Sequence, residues 1–311
     1  MLNILGKRYL FFAISLLLIV PGLIVLVTMG LPLAIDFTGG SLIEIQFPQG
    51  KLPQPADIVV LYDNLGFSNI QVTTTDKNTV IIRSEFLDED RTNDILTKMS
   101  ERFGVQFDLQ KDILRSDNVG PTIGKEVTSR AGLAVGVAAL GVVLFITFAF
   151  RGIPHALRYG VCAIIAMLHD VLVVVSLSTI GSHFFGWQID SLFLTALLAV
   201  IGFSVQDKIV VFDRIRENSN IFRKLEFEKL ANHSIVQTLQ RSINTQLMTS
   251  EFMLLAMALF GGVTLREFSV ILLVGLFMGT YSSIFIAAPI LVMWENKEWR
   301  TWFKRKSPSA V

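Results

Sequence analysis

The sequence has little charge and only one cysteine. Asp, Glu, Lys and Arg make up 17% of its 311 residues, against about a quarter in a soluble globular protein. The 52% share of hydrophobic residues excludes intrinsic disorder, which requires the opposite composition. A formal net charge of +1 gives no reason to expect a nucleic-acid partner. Cys162 alone forms neither an internal disulfide nor a cysteine-based metal site, and the four histidines lack ligand spacing, so we predict no metal or cofactor.

The hydrophobic residues are concentrated in long runs. No charged residue lies between Arg8 and Asp36, or between Arg130 and Arg151. A helix that crosses a bilayer needs about 20 mainly apolar residues. Six such spans are predicted, near residues 10–30, 131–150, 158–180, 190–212, 244–263 and 268–292. The predicted fold class is therefore a polytopic α-helical membrane protein in contact with the lipid bilayer.

The distribution of Lys and Arg predicts the orientation in the membrane. Six spans place both termini on the same side, and the basic residues of short loops mark the cytoplasmic side. These residues are concentrated at the termini and in segments 151–158 and 213–243, whereas the opposite short loops, 181–189 and 264–267, contain only Arg266. We therefore predict cytoplasmic termini and an external segment between the first two spans.

The predicted organisation has four parts. They are the N-terminus with the first helix (1–35), an external domain with a junction motif at each end (36–125), helices two to six (126–294) and a basic cytoplasmic tail (295–311). Within the third part, residues 213–243 are predicted to form a cytoplasmic amphipathic segment at the membrane surface.

The external segment is predicted to form a small α+β domain. Alternating residues predict strands, and helical spacing that ends at a glycine predicts helices. The predicted elements are strand 41–47, helix 55–65, strands 69–74 and 79–84, helix 90–103 and strand 105–109. This β-α-β-β-α-β order is the ferredoxin-like arrangement. The domain shows no catalytic group, but its exposed strand edges are able to accept an extended polypeptide.

Several ionisable residues lie within or beside the predicted membrane helices, where such groups are costly and usually mark a pathway or relay. They are His169, Asp170, Asp207, Lys208, Arg241 and Glu251. The rise per residue allows Asp207 to lie level with Arg241, and Asp170 with Glu251. A proton relay and a static ion pair remain equal alternatives for Asp207 and Arg241. Packing is favoured for His169 and Asp170, and Lys208 is expected to extend to the cytoplasmic surface.

Five motifs, present in order along nearly the whole chain, resemble the SecD/SecF family of the bacterial Sec translocase, and within it the SecF-type subunits. The motifs are DFTGG (36–40), VGPTIGKE (119–126), LHD (168–170), IGFSVQDKIVVFDRIREN (201–218) and GTYSSIFIAAP (279–289). The family belongs to the RND transporter superfamily. The resemblance implies six membrane helices and one large external domain after the first.

The resemblance also implies a function and its residues. A protein of this kind works with SecD and the SecYEG channel in the bacterial inner membrane, and uses the proton motive force to help draw an unfolded preprotein outward. The implied proton relay is Asp207 with Arg241, and the other intramembrane residues take either a secondary relay or a packing role. The implied junction residues, which suit tight turns that act either as hinges or as purely structural turns, are Asp36, Gly39, Gly40, Pro121 and Gly124.

The sequence departs from the family pattern beside the key aspartate. The family usually has Asn before it and a small hydroxyl residue after it, where this chain has Gln206 and Lys208. The fifth helix is usually uncharged, but here it contains Glu251. One hypothesis is that Lys208 and Glu251 compensate one another in net charge. The other is that Lys208 pairs with Asp207, keeps that carboxylate ionised and impairs the relay.

Two other functions compete with protein translocation. One is half of an RND-type exporter of small molecules or lipids, and the other is a non-conducting scaffold that stabilises SecD and the channel. The small external domain leaves little room for a drug-binding pocket, which favours translocation. We do not expect an enzyme, because the sequence shows no nucleophile–base pair, metal cluster or phosphate-binding loop.

Overall fold

The computed structural model describes residues 3–67, 70–75, 78–108, 111–151, 156–246 and 252–298. The chain divides into two compact units. The sheet unit comprises Pro32–Ala134 and Gln188–Ser191, and the helical unit comprises the remainder. Two predicted features, Glu251 and the basic tail from 299 onward, lie outside the described residues.

Eleven α-helices, four strands, one 3₁₀ turn and one π-helical turn occur in the described part of the chain. In order they are a 3₁₀ turn (Leu5–Lys7), α1 (Arg8–Met29), α2 (Ile35–Thr38), β1 (Gly40–Gln46), α3 (Pro55–Asn64), β2 (Gln71–Thr75), β3 (Thr79–Ser84), α4 (Glu89–Phe103), β4 (Ile113–Val119), α5 (Pro121–Ala149), α6 (Ala156–Phe185), α7 (Ser191–Ile221), α8 (Phe227–Gln246), α9 (Phe252–Phe260), α10 (Val263–Ser282), a π-helical turn (Ser283–Ala287) and α11 (Ala288–Glu295).

Five helical stretches among the described residues are long and apolar enough to cross a membrane. They are Leu5–Met29, Pro121–Ala149, Leu157–Phe185, Ser191–Ile221 and Leu265–Glu295. This finding establishes a helical membrane protein with a small sheet. The predicted fifth span, 244–263, covers the end of α8, residues outside the described part and the nine-residue helix α9. That span stays a prediction.

Small residues allow the helices of the helical unit to approach closely. A Cβ atom on Gly22 of α1 would lie 1.8 Å from Ser176 Oγ of α6, and Thr179 Oγ1 donates to the Gly22 carbonyl at 3.1 Å. On α10, a Cβ atom on Gly275 would lie 2.3 Å from Val200 of α7. These glycines therefore position α6, α7 and α10 so that polar side chains meet between them.

The sheet unit has one antiparallel sheet with the strand order β2-β3-β1-β4. Helices α3 and α4 supply the apolar side chains that pack on the same sheet face as Ile43, Ile45 and Ile82. Tyr62 of α3 and Met99 of α4 are fully buried in this core. The element order agrees with the predicted β-α-β-β-α-β order, because alternating and helical spacing arise from local burial.

The predicted fourth strand is misplaced. Residues 105–108 pair with no described strand, whereas β4, which pairs with β1, lies at Ile113–Val119. Gly104 ends α4 in the left-handed conformation, and Val105 and Phe107 then pack on the core. The alternation at 105–109 therefore reflects core packing without ladder hydrogen bonds. Residue 109 lies outside the described part.

Candidate functional site

The two predicted junction motifs pack against each other in the sheet unit. Gly39 and Gly40 have φ angles of 75° and 132°, which disfavour any side chain. A Cβ atom on Gly39 would lie 2.8 Å from Pro121 Cα, and one on Gly124 would lie 2.6 Å from Gly39 N. The first turn of α5 therefore fits against the DFTGG turn only because Gly39 and Gly124 lack side chains where the two meet.

Hydrogen bonds hold the same junction. Thr128 Oγ1 of α5 donates to the Phe37 carbonyl at 2.9 Å. Asp36 Oδ2 accepts a hydrogen bond from the Ser191 backbone N–H at 2.9 Å. Gly39, Pro121 and Gly124 thus meet directly, Gly40 pairs with Val119 just before α5, and Asp36 links the turn to the start of α7. Their role as hinges stays a prediction.

A second site lies between the membrane helices of the helical unit. We call it the polar cluster, and it consists of His169 and Asp170 on α6, Ser204, Asp207 and Lys208 on α7, Gln246 on α8, and Thr280 and Ser282 on α10. Ser204 and Lys208 share a face of α7 because they are four residues apart. A Cβ atom on Gly279 would lie 3.2 Å from Ser204, so the glycine lets α10 bring its hydroxyl groups to that face.

Asp170 and Lys208 form a buried ion pair at the centre of the cluster. Their side chains are 1% and 0% exposed, and Lys208 Nζ lies 2.8 Å from Asp170 Oδ2. The same oxygen accepts hydrogen bonds from Ser204 Oγ and, at 2.7 Å, from Ser282 Oγ. His169 Nδ1 lies 3.0 Å from Asp170 Oδ1. The carboxylate is therefore contacted by polar groups of α6, α7 and α10.

This pair corrects the expectation that Lys208 extends to the cytoplasmic surface. The ammonium also donates to Ser204 Oγ and, at 3.3 Å, to the Ser204 carbonyl. These groups replace the water that a lysine otherwise seeks, so the side chain is stable in the interior. The structure also removes the hypothesis that Lys208 pairs with Asp207, because its partner is Asp170.

Asp207 has a different environment. Its side chain is 7% exposed, and Oδ2 accepts hydrogen bonds from Thr280 Oγ1 at 2.7 Å and Gln246 Nε2 at 3.3 Å. Both donors are neutral. No Lys, Arg or His in the described part of the chain forms a salt bridge with this carboxyl. Asp207 is thus a buried carboxyl group held by neutral donors.

Arg241 is placed away from Asp207. It lies exposed on α8, where its carbonyl accepts a hydrogen bond from Thr245 Oγ1 at 2.8 Å. Gln246, five residues further along the same helix, contacts Asp207 instead. The expected pairing of Asp207 with Arg241 is therefore absent among the described contacts of this conformation. The expected proximity of Asp170 to Glu251 falls outside the described residues.

His169 has a packing environment. Its ring stacks on Tyr281 with centroids 6.2 Å apart, and Tyr281 in turn donates its hydroxyl to the Phe11 carbonyl of α1 at 2.9 Å. His169 is buried, with Nδ1 directed to Asp170. The role of His169, either packing or secondary relay, stays a prediction.

Four members of the cluster were not identified from the sequence. They are Ser204, Gln246, Thr280 and Ser282. A signal was present, because Thr280–Ser283 places three hydroxyl residues and Tyr281 in an otherwise apolar span. The π-helical turn Ser283–Ala287 follows at once, and such turns are frequent at functional sites.

Comparison with known protein families shows the family to which this chain belongs. The family described as protein export membrane protein SecD/SecF, C-terminal, matches residues 99–297, and the SecD/SecF GG motif matches residues 24–49. The chain belongs to the SecD/SecF family. The GG-motif match contains the junction turn at 36–40, and the larger match contains every member of the polar cluster.

Relatives of this SecD/SecF-family chain match it over its whole length. The protein translocase subunit SecF of Anaerolinea thermophila is 68% identical over 310 residues, which cover 100% of this chain and 99% of that protein. The subunit of the same name from Thermobaculum terrenum is 43% identical, with coverage of 100% and 99%. The resemblance inferred from the motifs is confirmed.

Solved structures of SecDF contain a region with the same fold as this chain. The crystal structure of SecDF from Thermus thermophilus, a translocon-associated membrane protein, matches with a TM-score of 0.81 and 30% identity. The match covers 95% of this chain and 39% of the SecDF chain. SecDF in a form described as super-membrane-facing matches with a TM-score of 0.67 and 29% identity. The chain therefore spans about two fifths of the SecDF chains it matches.

Proposed function

We propose that this SecD/SecF-family chain is a SecF-type subunit of the Sec translocase, which uses the proton motive force to promote late steps of preprotein translocation. Its partners in this proposal are a SecD-type subunit, the SecYEG channel and the unfolded preprotein. The observation that carries the proposal is the buried Asp207 carboxyl group, held by neutral donors from two other helices. The full-length relatives named translocase subunit SecF support it.

The proposal includes a membrane arrangement. Six helices span the bacterial inner membrane, with the segment 244–263 as the fifth, and both termini are cytoplasmic. The sheet unit is the external domain and has a ferredoxin-like fold, which its strand order and antiparallel pairing support. The distribution of Lys and Arg supports the orientation.

In the proposed mechanism, Asp207 gains a proton on one side and loses it on the other. Loss of the proton leaves a charge among neutral donors, so the contacts of α7 with α8 and α10 must change. A proton driven by about 200 mV supplies roughly 4–5 kcal/mol for this change. Arg241 then acts as the mobile counter-ion in a second conformation, which brings it from the exposed face of α8 toward Asp207.

The interlocked junction is proposed to transmit the helix movement to the external domain. Because Gly39 and Gly124 are in direct contact, displacement of α5 moves the DFTGG turn with it. The external domain then holds the emerging preprotein, with the edge strands β2 and β4 as surfaces for an extended chain. Backward movement of the preprotein is thereby prevented.

The test is proton-gradient-dependent completion of preprotein translocation in vesicles that contain SecD. Asp207→Asn keeps the side-chain size but cannot exchange the proton, so we expect the gradient-dependent part to be lost. Asp213→Asn is the matched control, because Asp213 lies on the same helix, is exposed and pairs only with Arg216 among the described residues. If Asp207→Asn translocates normally while SecD levels depend on this chain, the scaffold function replaces the relay.

A further inference from the structure

We propose that Lys208 is a positioning residue, which acts as the fixed counter-ion of Asp170 and is thereby kept from forming an ion pair with Asp207. This inference rests on the proposed role of Asp207 in proton exchange. It concerns a residue where the chain departs from the usual SecD/SecF pattern. The departure is therefore compensated within the chain, and the relay is preserved.

The ammonium of Lys208 is fully occupied. It has three N–H donors, and three acceptors lie around it, namely Asp170 Oδ2, Ser204 Oγ and the Ser204 carbonyl. The side chain is completely buried. No donor remains for another acceptor unless one of these bonds breaks.

The carboxylate of Asp170 is equally well satisfied. Lys208, Ser204 and Ser282 donate to Oδ2, and His169 lies against Oδ1. In a low-dielectric interior, a fully satisfied ion pair is held firmly, whereas loss of one partner leaves a costly isolated charge. The pair therefore links α6 and α7, with α10 attached through Ser282.

Asp207 is next to Lys208 in the chain but does not share this pair. Thr280 on α10 and Gln246 on α8 contact Asp207, and Lys208 on its own helix interacts with it electrostatically. The other titratable groups on these helices and on α6 are Asp170, His169 and Tyr281, with Arg241 exposed on α8. If Asp170 loses its charge, the buried ammonium of Lys208 has Asp207 as its nearest remaining carboxylate on α7. Pairing with Lys208 would keep Asp207 ionised and stop proton exchange.

A set of charge variants in the intact chain, reconstituted with SecD, tests the inference. Asp170→Asn should lower gradient-dependent translocation by about tenfold or more, because one charge of a buried pair is left alone. Its residual activity should require a lower pH on the proton-entry side than the activity of the parent does. Asp170→Asn combined with Lys208→Met removes both charges, and should restore the rate and the pH profile to near those of the parent.

Two results would overturn the inference. One is a double variant that is as impaired as Asp170→Asn, and the other is Asp170→Asn with the pH profile of the parent. A merely structural pair would affect the stability of the chain without moving the pH profile. Ser178→Ala is the matched control, because its buried hydroxyl on α6 bonds only the Val174 carbonyl of its own helix among the described contacts, and both charges stay in place.

A gradient-free measurement separates this inference from the proposed function. Thermal unfolding in detergent compares the parent, Asp170→Asn, Lys208→Met and the double variant. We expect each single variant to unfold at a lower temperature than the double variant. If Asp207→Asn retains gradient-dependent translocation, the proposed function fails. A higher unfolding temperature for the double variant than for each single variant would still support Asp170 and Lys208 as mutual counter-ions. An equal fall in unfolding temperature in all three variants excludes that pairing.

Discussion

The two intramembrane aspartates have different environments because different side chains surround them. Asp170 has a lysine, two hydroxyl groups and a histidine around it, whereas Asp207 has a hydroxyl and an amide. A fixed cation favours the charged form of a carboxylate more strongly than neutral donors do, and the proposed proton exchange is therefore assigned to Asp207. The sequence showed both residues in membrane helices but not which of them was paired.

Thr280 provides a direct test of the Asp207 environment. Thr280→Val keeps the shape of the side chain but removes the 2.7 Å hydrogen bond to Asp207. We expect gradient-dependent translocation to fall by up to about tenfold, which corresponds to one hydrogen bond. The measurement is the rate in SecD-containing vesicles with and without a proton gradient. Thr147→Val on α5, whose hydroxyl bonds only its own helix among the described contacts, should leave the rate unchanged.

Tyr62 allows a second test, in the core of the sheet unit. Its hydroxyl is buried without a hydrogen-bond partner among the described residues, and burial raises the pKa of the phenol well above 10.0. Because the folded-state pKa is raised, the folded state favours the neutral phenol. This contribution to the free energy of unfolding is fully present below pH 10.0 and is lost as the pH rises through the folded-state pKa. Tyr62→Phe should therefore leave the free energy of unfolding unchanged, or raise it by about 1 kcal/mol, near neutral pH.

The measurement is spectrophotometric titration of tyrosine and unfolding of the whole chain in detergent, at neutral and strongly alkaline pH. The Phe variant should lose the latest-titrating phenol and unfold less readily at alkaline pH than the parent. Tyr9→Phe, at a largely exposed position, is the control. A parent phenol at position 62 that titrates together with the exposed Tyr9 would contradict the prediction.

At the scale of elements, the glycines decide which helices and turns are in contact. Gly22 brings α1 to α6, Gly275 brings α10 to α7, and Gly124 brings α5 to the DFTGG turn. In each case a Cβ atom would lie closer to its neighbour than packed atoms permit. The glycines are therefore requirements of packing, and the adjacent polar contacts depend on them.

Gly124→Ala tests the interlocked junction. Its new Cβ atom would lie 2.6 Å from Gly39 N, so the turn or the helix must shift. We expect a loss of about 1–3 kcal/mol in the free energy of unfolding, as for other overpacked sites. Gly132→Ala in the same helix meets no described atom within 4 Å, and should be neutral or slightly stabilising because alanine favours helix. Denaturation of both variants in detergent gives the comparison, and equal stability would contradict close packing at the junction.

At the scale of the molecule, a charged cluster joins distant parts of the helical unit. Arg8 at the start of α1 pairs with Glu298, beyond α11, at 2.8 Å and with Glu228 of α8 at 3.2 Å. Arg158 of α6 pairs with Glu295. Asn232 of α8 also accepts hydrogen bonds from the backbone N–H groups of residues 4 and 5. The ends of α1, α6, α8 and α11 are thus linked by polar contacts.

Arg8→Ala should destabilise this part of the molecule. The arginine is 13% exposed and serves two carboxylates, so we expect a loss of about 1–3 kcal/mol, more than for an exposed pair. Thermal unfolding in detergent at low and high salt measures the effect. Arg216→Ala removes an exposed pair with Asp213 and serves as the control. A smaller loss for Arg8→Ala than for Arg216→Ala would exclude a stabilising role for the cluster.

The sequence by itself determined the features that depend on local patterns. Long apolar runs indicated the membrane helices, alternation and helical spacing indicated the β-α-β-β-α-β order, and the motifs indicated the SecD/SecF family. These signals lie within single segments. Each reflects whether successive side chains face water, lipid or core.

Only the tertiary structure decided which distant residues meet. Depth along a helix is proportional to residue number, but the rotation of each helix and the approach of its neighbours are not. The pairing of Lys208 with Asp170, the placement of Gln246 beside Asp207 and the choice of Ile113–Val119 as the fourth strand all depend on such non-local packing. Close contacts at glycines set that packing, because they fix which faces of the helices come together.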